Sequence, residues 1–310
     1  MIMRKFLITG GAGNIAGSLA RKLVEDAGNT VVIVDNFSTG SPDKLPPAGF
    51  GNYAFIQADV NDPEQLRPIM MAHNFDYVFH YAAVVGVKRT LSNPLMVLRD
   101  IEGIRHIFEL SKLTGVKQVF YSSSSEVYGE PVSMPQHEEM TPLNSRLPYA
   151  IVKNVGEAFC KSYFHEYGLA YTIFRFFNTY GPGQSEDFVV PRFIKAALRN
   201  EPIFIYGDGA QTRTFCYVDD NIEATLRVME SDFGKNDTIN IGSDEEISML
   251  ELATKIIAIT GSASSLIHLP SLSEGDMSRR KPDITKMKNF LNRPLIPLDE
   301  GIRKLIQHYG

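Results

Sequence analysis

The chain has no tryptophan and two cysteines, Cys160 and Cys216, in 310 residues. Two thiols are too few for a disulfide framework, and they lack the paired spacing of a zinc site. His73, His80, His106, His137 and His165 are scattered rather than clustered, which gives no ligand set for a metal. No apolar run reaches the roughly 18 residues that a membrane helix requires. No charged leader precedes an export-type stretch, since residues 6–9 are needed as the first strand. An excess of positive charge is missing too. Lys plus Arg number 31 against 36 Asp plus Glu, a net charge of −5, which leaves no basic footprint for nucleic acid or an anionic membrane. These absences point to a cytoplasmic protein with reduced thiols and no metal. The composition, 44% apolar and 22% charged, is that of an ordinary globular chain, with no internal repeat and no low-complexity tract.

What is present is an alternation of short apolar runs and amphipathic stretches, the pattern of a parallel, doubly wound α/β sheet. Residues 5–9 form a buried strand that breaks into Gly10, Gly11, Ala12, Gly13, Asn14 and Ile15, followed by a helical pattern. A second strand, residues 30–34, ends in Asp35 and Asn36. Strand, glycine turn, helix, strand and terminal acid make up the unit that binds a dinucleotide. The glycines let backbone approach a pyrophosphate, and the helix N-terminus stabilises its charge. Asp35 can accept hydrogen bonds from ribose hydroxyls and would repel a 2′-phosphate, which favours NAD over NADP. Further strands are expected at residues 53–56, 77–80, 119–122 and 171–174, with helices at 63–73, 94–114, 148–167 and 190–199 and a proline-rich loop at 40–51. The pattern changes near residue 177. The expected division is therefore an NAD-binding Rossmann domain over residues 1–176 and a smaller α/β substrate-binding lobe over 177–310, some segments of which return to the first.

Tyr149 and Lys153 stand four residues apart in a helical stretch, so they share one face. A cation beside a phenol favours the phenolate, so Tyr149 is expected to exchange protons nearer neutrality than its free value of about 10. A surface helix carries such a pair by chance often enough that the spacing alone decides nothing. The fingerprint and the serine cluster at residues 122–125 give it weight.

The motifs TGGAGNIAG (9–17), FHYAA (79–83), SSSSEVYG (122–129), YAIVK (149–153), FNTYGPG (177–183), YGDGAQTRTFCYVDD (206–220) and RRKPDI (279–284) run nearly end to end. By them the chain resembles the extended short-chain dehydrogenase/reductases, in the NAD-dependent nucleotide-sugar epimerase, dehydratase and decarboxylase group. The resemblance implies a sugar oxidised at C4 to a 4-keto intermediate. Tyr149 would take the hydroxyl proton, Ser124 would orient the hydroxyl, and Lys153 would lower the tyrosine pKa and hold the nicotinamide ribose. It also implies that Asp59 and Val60 contact the adenine and that Ala82 and Ala83 let the cofactor pass close to backbone. On the substrate side it implies contacts from Ser125 and Asn178, a diphosphate partner in Arg213, and a base site near Val190, Phe204 and Tyr206, with Asp276 nearby. The helices near 94–114 and 148–167 resemble a pair that builds a homodimer in the group.

The fate of the keto sugar turns on Glu126 and Arg280. Ser125-Glu126 matches the Ser-Glu pair of UDP-glucuronate decarboxylases, and Arg280 matches an arginine placed near the substrate carboxylate, which its fork suits. Glu126 could instead cap the following helix, and Arg280 could contact phosphate or the fold. Residues 82–87 are closer to the epimerases, and in the fingerprint Ala16 stands for the third glycine and Asn14 for the usual aromatic. UDP-glucuronate-like decarboxylation leads, C4 epimerisation of a UDP-hexose is the alternative, and 4,6-dehydration follows. The nucleotide stays open. A non-enzymatic NAD-binding sensor or interaction subunit is the reading outside catalysis; the retained Tyr149, Lys153 and Ser124 argue against it.

Overall fold

The computed structural model describes residues 3–271 and 279–310. In chain order its strands are β1 (Arg4–Thr9), β2 (Asn29–Asp35), β3 (Tyr53–Gln57), β4 (Tyr77–His80), β5 (Gln118–Ser124), β6 (Ala170–Phe176), β7 (Thr179–Tyr180), β8 (Ile203–Tyr206), β9 (Thr212–Thr214), β10 (Cys216–Tyr217), β11 (Asp237–Ile241), β12 (Glu246–Ser248) and β13 (Leu266–Leu269). The helices are α1 (Asn14–Leu23), α2 (Pro63–His73), α3 (Val87–Ser92), α4 (Pro94–Leu98), α5 (Asp100–Thr114), α6 (Pro148–Tyr167), α7 (Val189–Leu198), α8 (Val218–Met229), α9 (Met249–Thr260), α10 (Thr285–Leu291) and α11 (Leu298–Tyr309). The six expected strands and the helices at 63–73 and 148–167 form close to where the pattern put them. The expected helix over 94–114 divides at Arg99 into α4 and α5, and the loop at 40–51 contains a short 3₁₀ turn, Pro42–Lys44.

Seven strands pair in the order β11-β6-β5-β4-β1-β2-β3, all parallel. Near-continuous apolar strands suit this arrangement because both faces are covered. On one face Phe79 stacks on Phe120 at 4.4 Å, and Phe120 stacks on Phe174 at 6.1 Å. That face is shared with α1, α7, α8 and α9. The opposite face buries Leu7, Val78, Val119 and Ile173 against α2, α5 and α6. Each such side chain contributes about 1.5–3 kcal/mol on burial. Among the described residues beyond 177 there are three two-stranded pairs, β7 with β10, β8 with β13 and β9 with β12. β11 adds to the central sheet beside β6.

Local signals place the element ends that matter for the cleft. Proline opens α6 at Pro148, and α5 and α6 end on Gly115 and Gly168, whose φ of 74° and 70° is left-handed. Because β1, β2, β4 and β5 all point the same way, their carboxyl ends, followed by Gly10, Asp35, Ala82 and Ser125, meet at one edge of the sheet. The strand order reverses between β1 and β4, the usual position of a ligand crevice in such folds.

Candidate active site

One cleft runs along this edge. It is lined by Gly10, Gly13, Asn14, Ile15, Asp35, Asn36, Asp59, Val60, Ala82 and Ala83 at one end and by Ser124, Ser125, Glu126, Tyr149, Lys153, Asn178, Val190 and Arg280 toward the other. Gly10 has φ +71°, and a Cβ there would lie 2.7 Å from the Ala82 nitrogen, so both conformation and space require glycine. Asp35 accepts hydrogen bonds from the nitrogens of Ala12 (3.0 Å) and Phe37 (2.8 Å), which ties the glycine turn to the end of β2. Both polar atoms of the Asn14 amide are buried without a hydrogen-bond partner among the described residues. A glycine cradle at a helix N-terminus, a strand-end carboxylate and an orphaned amide fit a dinucleotide diphosphate and its ribose.

The reacting end is built by β5, the turn after it and α6. Ser124 caps the 3₁₀ turn Ser125–Tyr128, its hydroxyl accepting from the Glu126 nitrogen at 3.2 Å. It is thus Ser124, not Glu126, that caps the turn. Burial pushes the Tyr149 phenol well above its usual value, and the Glu126 charge adds to that; a hydrogen bond with Ser124 and the Arg280 charge oppose it. Lys153 Nζ donates to Ser122 O at 2.6 Å and Ser122 Oγ at 3.2 Å, and it sits 5.7 Å from the Tyr149 ring centroid. Its ammonium is held by β5 rather than by the phenol. Burial pushes Lys153 down to about 8, against the pull of Asp100. His80, buried behind it and linked to Thr9 at 2.9 Å, is pushed down to about 3 by burial and by Lys153, so it stays neutral.

Glu126 and Arg280 meet. Arg280 Nη1 lies 3.6 Å from Glu126 Oε1, with side-chain exposures of 9% and 18%. The strand bridge between Thr212 and Arg279 leads into Arg280. Glu246 fixes that bridge, accepting from Arg279 Nε and Nη2 at 2.8 Å each. On the other side Gln136 exchanges backbone hydrogen bonds with Lys281 and Asp283, both 2.8 Å.

Not every expected residue is in the cleft. Phe204, Tyr206 and Arg213 do not line it. Phe204 is half exposed on β8, and Arg213, on β9, donates from Nη1 to Thr212 O at 2.7 Å. Asp276 lies outside the described residues. Asn178, with φ 37°, lines the cleft and donates to Thr214 O at 3.0 Å. Ser122, read only as one of the serine cluster, anchors Lys153, and two further cleft residues had no assigned role, Asp100 and Arg89. Asp100, buried at the start of α5, accepts from the Val84 nitrogen at 2.7 Å, and burial raises its pKa. Arg89 reaches Asp187 at 3.8 Å across the cleft. An acid beginning an otherwise amphipathic helix was a usable signal for Asp100; nothing local marked Arg89. Among the described residues no group of three His, Cys, Asp or Glu side chains could hold a metal ion, both cysteines are free and buried, and no helix is long and apolar enough to cross a membrane.

Comparisons with known proteins agree with this geometry. The model of the NAD dependent epimerase/dehydratase family matches residues 6–242. The chain is 37% identical to the UDP-N-acetyl-alpha-D-glucosaminuronate decarboxylase of Bacillus cytotoxicus, over 99% of this chain and 98% of that protein. It is 34% identical to UDP-glucuronic acid decarboxylase 1 of Danio rerio, over 99% and 73%. Its fold is similar to that of UDP-glucose 4-epimerase from Thermotoga maritima, crystallised with UDP-glucose, with a TM-score of 0.92, 33% identity and 98% of each chain covered. With its strand-end carboxylate, glycine cradle and Tyr149/Lys153 helix, the chain belongs to the NAD-dependent epimerase/dehydratase family of nucleotide-sugar enzymes.

Proposed function

We propose that the protein decarboxylates a UDP-linked hexuronate. The observation that carries this reading is the Glu126–Arg280 pair, 3.6 Å apart in the same cleft as Tyr149, Ser124 and Lys153. A 4-epimerase of a neutral hexose such as UDP-glucose has no substrate carboxylate for a buried arginine to receive at the sugar end, whereas an enzyme of a uronate, the UDP-glucuronic acid 4-epimerase of Bacillus cereus included, does. The arginine fork receives the C6 carboxylate of a uronate. The two decarboxylase relatives act, by their names, on UDP-glucuronate or its 2-acetamido analogue, and both belong in the test.

NAD would be held by Gly10, Gly13, Asn14, Ile15, Asp35, Asn36, Asp59, Val60, Ala82 and Ala83, and would supply the hydride acceptor and donor for C4 of the sugar. Tyr149 takes the C4 hydroxyl proton, with Ser124 orienting that hydroxyl and Lys153 holding the ribose side. Oxidation at C4 turns the uronate into a β-keto acid. The C5–C6 bond then breaks, carbon dioxide leaves, and the electron pair moves into the C4 carbonyl as an enolate. The phenol, protonated by the transfer from the C4 hydroxyl, is placed to hydrogen-bond the enolate oxygen. Glu126 relays a proton from water to C5, ending as the carboxylate it began as, and Arg280 holds the substrate carboxylate until it departs. Ser125, Asn178 and Val190 hold the sugar nucleotide, and Arg213, Phe204, Tyr206 and Asp276 remain proposed contacts for its diphosphate and base on the C-terminal lobe. Residues 1–176 serve the cofactor and 177–310 mainly the sugar nucleotide. We place the enzyme in the cytoplasm as a homodimer through α5 and α6; sedimentation showing a monomer alone at micromolar concentration would refute the dimer.

Product mass tests the chemistry. Given UDP-glucuronate, UDP-N-acetylglucosaminuronate, UDP-glucose and dTDP-glucose, the expected change is loss of carbon dioxide from a uronate. Unchanged mass with inverted C4 supports epimerisation, the second reading, which the close fold similarity to an epimerase favours. Loss of water supports dehydration.

A further inference from the structure

Behind the cleft lies a connected set of buried polar side chains that the proposed chemistry does not use. Arg175 on β6 grips Glu157 on α6 with both prongs, Nε to Oε1 at 2.9 Å and Nη2 to Oε2 at 2.7 Å. The Ser123 hydroxyl donates to the same carboxylate at 2.5 Å. The third guanidinium nitrogen, Nη1, donates to the Tyr128 hydroxyl at 2.8 Å and to Glu138 O at 3.0 Å. Tyr128 in turn donates to Asn240 Oδ1 at 2.8 Å. The Asn240 amide then donates to Gln136 O at 2.9 Å and Asp283 O at 3.1 Å.

Such a network is an odd stabiliser. Desolvating two charges costs about as much as their attraction returns, and apolar replacements of buried pairs are often neutral or better. What it does supply is a fixed geometry among segments that arrive from distant parts of the chain. Four of its members lie close in sequence to cleft residues. Ser123 precedes Ser124, Tyr128 closes the 3₁₀ turn that carries Glu126, Glu157 lies one turn beyond Lys153, and Asp283 follows Arg280 by three residues.

The redox residues have anchors of their own, since Lys153 is held by Ser122 and Tyr149 rides on α6. The turn bearing Glu126 and the segment bearing Arg280 are joined through Tyr128 and Asn240. We propose that the Arg175-centred network is a positioning device that sets the Glu126–Arg280 geometry, and so governs loss of the carboxylate more than oxidation at C4. This rests on the decarboxylase reading above. Misplacement by about 1 Å costs on the order of a hundredfold in rate, so a small shift between the two segments is enough to separate the steps.

The experiment uses the full chain loaded with NAD and the uronate that wild type turns over. Tyr128→Phe keeps the ring that packs against Phe177, centroids 6.0 Å apart, and removes the hydroxyl link. Arg175→Lys is the second variant, retaining a charge for Glu157 and losing the contact to Tyr128. Two rates are read beside thermal stability: single-turnover NADH appearance and release of carbon dioxide. The expected result is NADH formation within about twofold of wild type, carbon dioxide release slowed roughly ten- to a hundredfold, and NADH accumulating, the pattern of Glu126→Gln. Equal slowing of both steps in proportion to lost stability overturns the proposal, as do unchanged rates. So does failure of both variants to fold and bind NAD, because the network is then only a folding element. If wild type releases no carbon dioxide from any uronate, the decarboxylase reading itself fails, and it fails before a variant is made.

Discussion

Replacing Arg280 by glutamine tests what that side chain is for. In the ligand-binding role, its guanidinium receives the substrate C6 carboxylate from a site where its side chain is 9% exposed, so water screens the contact little. A charged hydrogen bond of this kind contributes about 1.5–3 kcal/mol, and each 1.36 kcal/mol is a factor of ten. The gross effect is therefore roughly 10- to 150-fold in affinity. Arg280 already faces Glu126 at 3.6 Å, and that pairing must loosen as the substrate enters, so the net loss falls toward the lower end, near tenfold. The control is UDP-glucose, which carries a neutral hydroxymethyl in place of the carboxylate and should bind the variant as it binds wild type. Titration calorimetry in a Tyr149→Phe background, where turnover is blocked, measures both ligands at equilibrium. Equal losses for the two, or none for the uronate, would show that Arg280 is not the carboxylate receptor and would return it to a phosphate or structural role.

Gly10→Ala should abolish NAD binding, since the added Cβ meets the Ala82 nitrogen at 2.7 Å in a left-handed conformation; fluorescence titration with NADH checks it. Tyr149→Phe should bind NAD normally and produce no NADH from any sugar nucleotide in a single-turnover experiment. The pH dependence of that first step should move in opposite directions in two variants. Glu126 raises the Tyr149 pKa and Arg280 lowers it, so Glu126→Gln shifts the rising limb to lower pH and Arg280→Gln shifts it to higher pH. Shifts of the same sign would contradict the electrostatic account. Asp35→Ser should relax the preference for NAD over NADP, read from the ratio of their dissociation constants.

Legibility from sequence followed the range of the interactions. The β1–α1–β2 unit could be read because glycine, an apolar run and a terminal acid act within 35 residues of one another. The Tyr149/Lys153 pair could be read because helical periodicity sets which side chains share a face. Where the lysine points could not, because Ser122 reaches it from β5 through tertiary structure alone. Arg280 was placed beside Glu126 by family resemblance; no spacing relates a turn after β5 to a segment before α10. The same limit hid the Arg175 network, whose members come from β5, the 3₁₀ turn after it, α6, β6 and β11. It also leaves the placement of Arg213 and Tyr206 to packing. A motif identifies residues that travel together in sequence, whereas the burial of Arg213 on β9 and the half-buried position of Tyr206 at the end of β8 are decided among segments far apart in the chain.

The central claim is that this cleft removes a carboxylate from a sugar it has first oxidised. It is tested most directly by supplying the NAD-loaded enzyme with a UDP-hexuronate isotopically labelled at C6 and collecting the gas. The account predicts labelled carbon dioxide and a UDP-pentose one carbon shorter, both lost in Tyr149→Phe. A uronate recovered with its label intact, whether unchanged or inverted at C4, would contradict it.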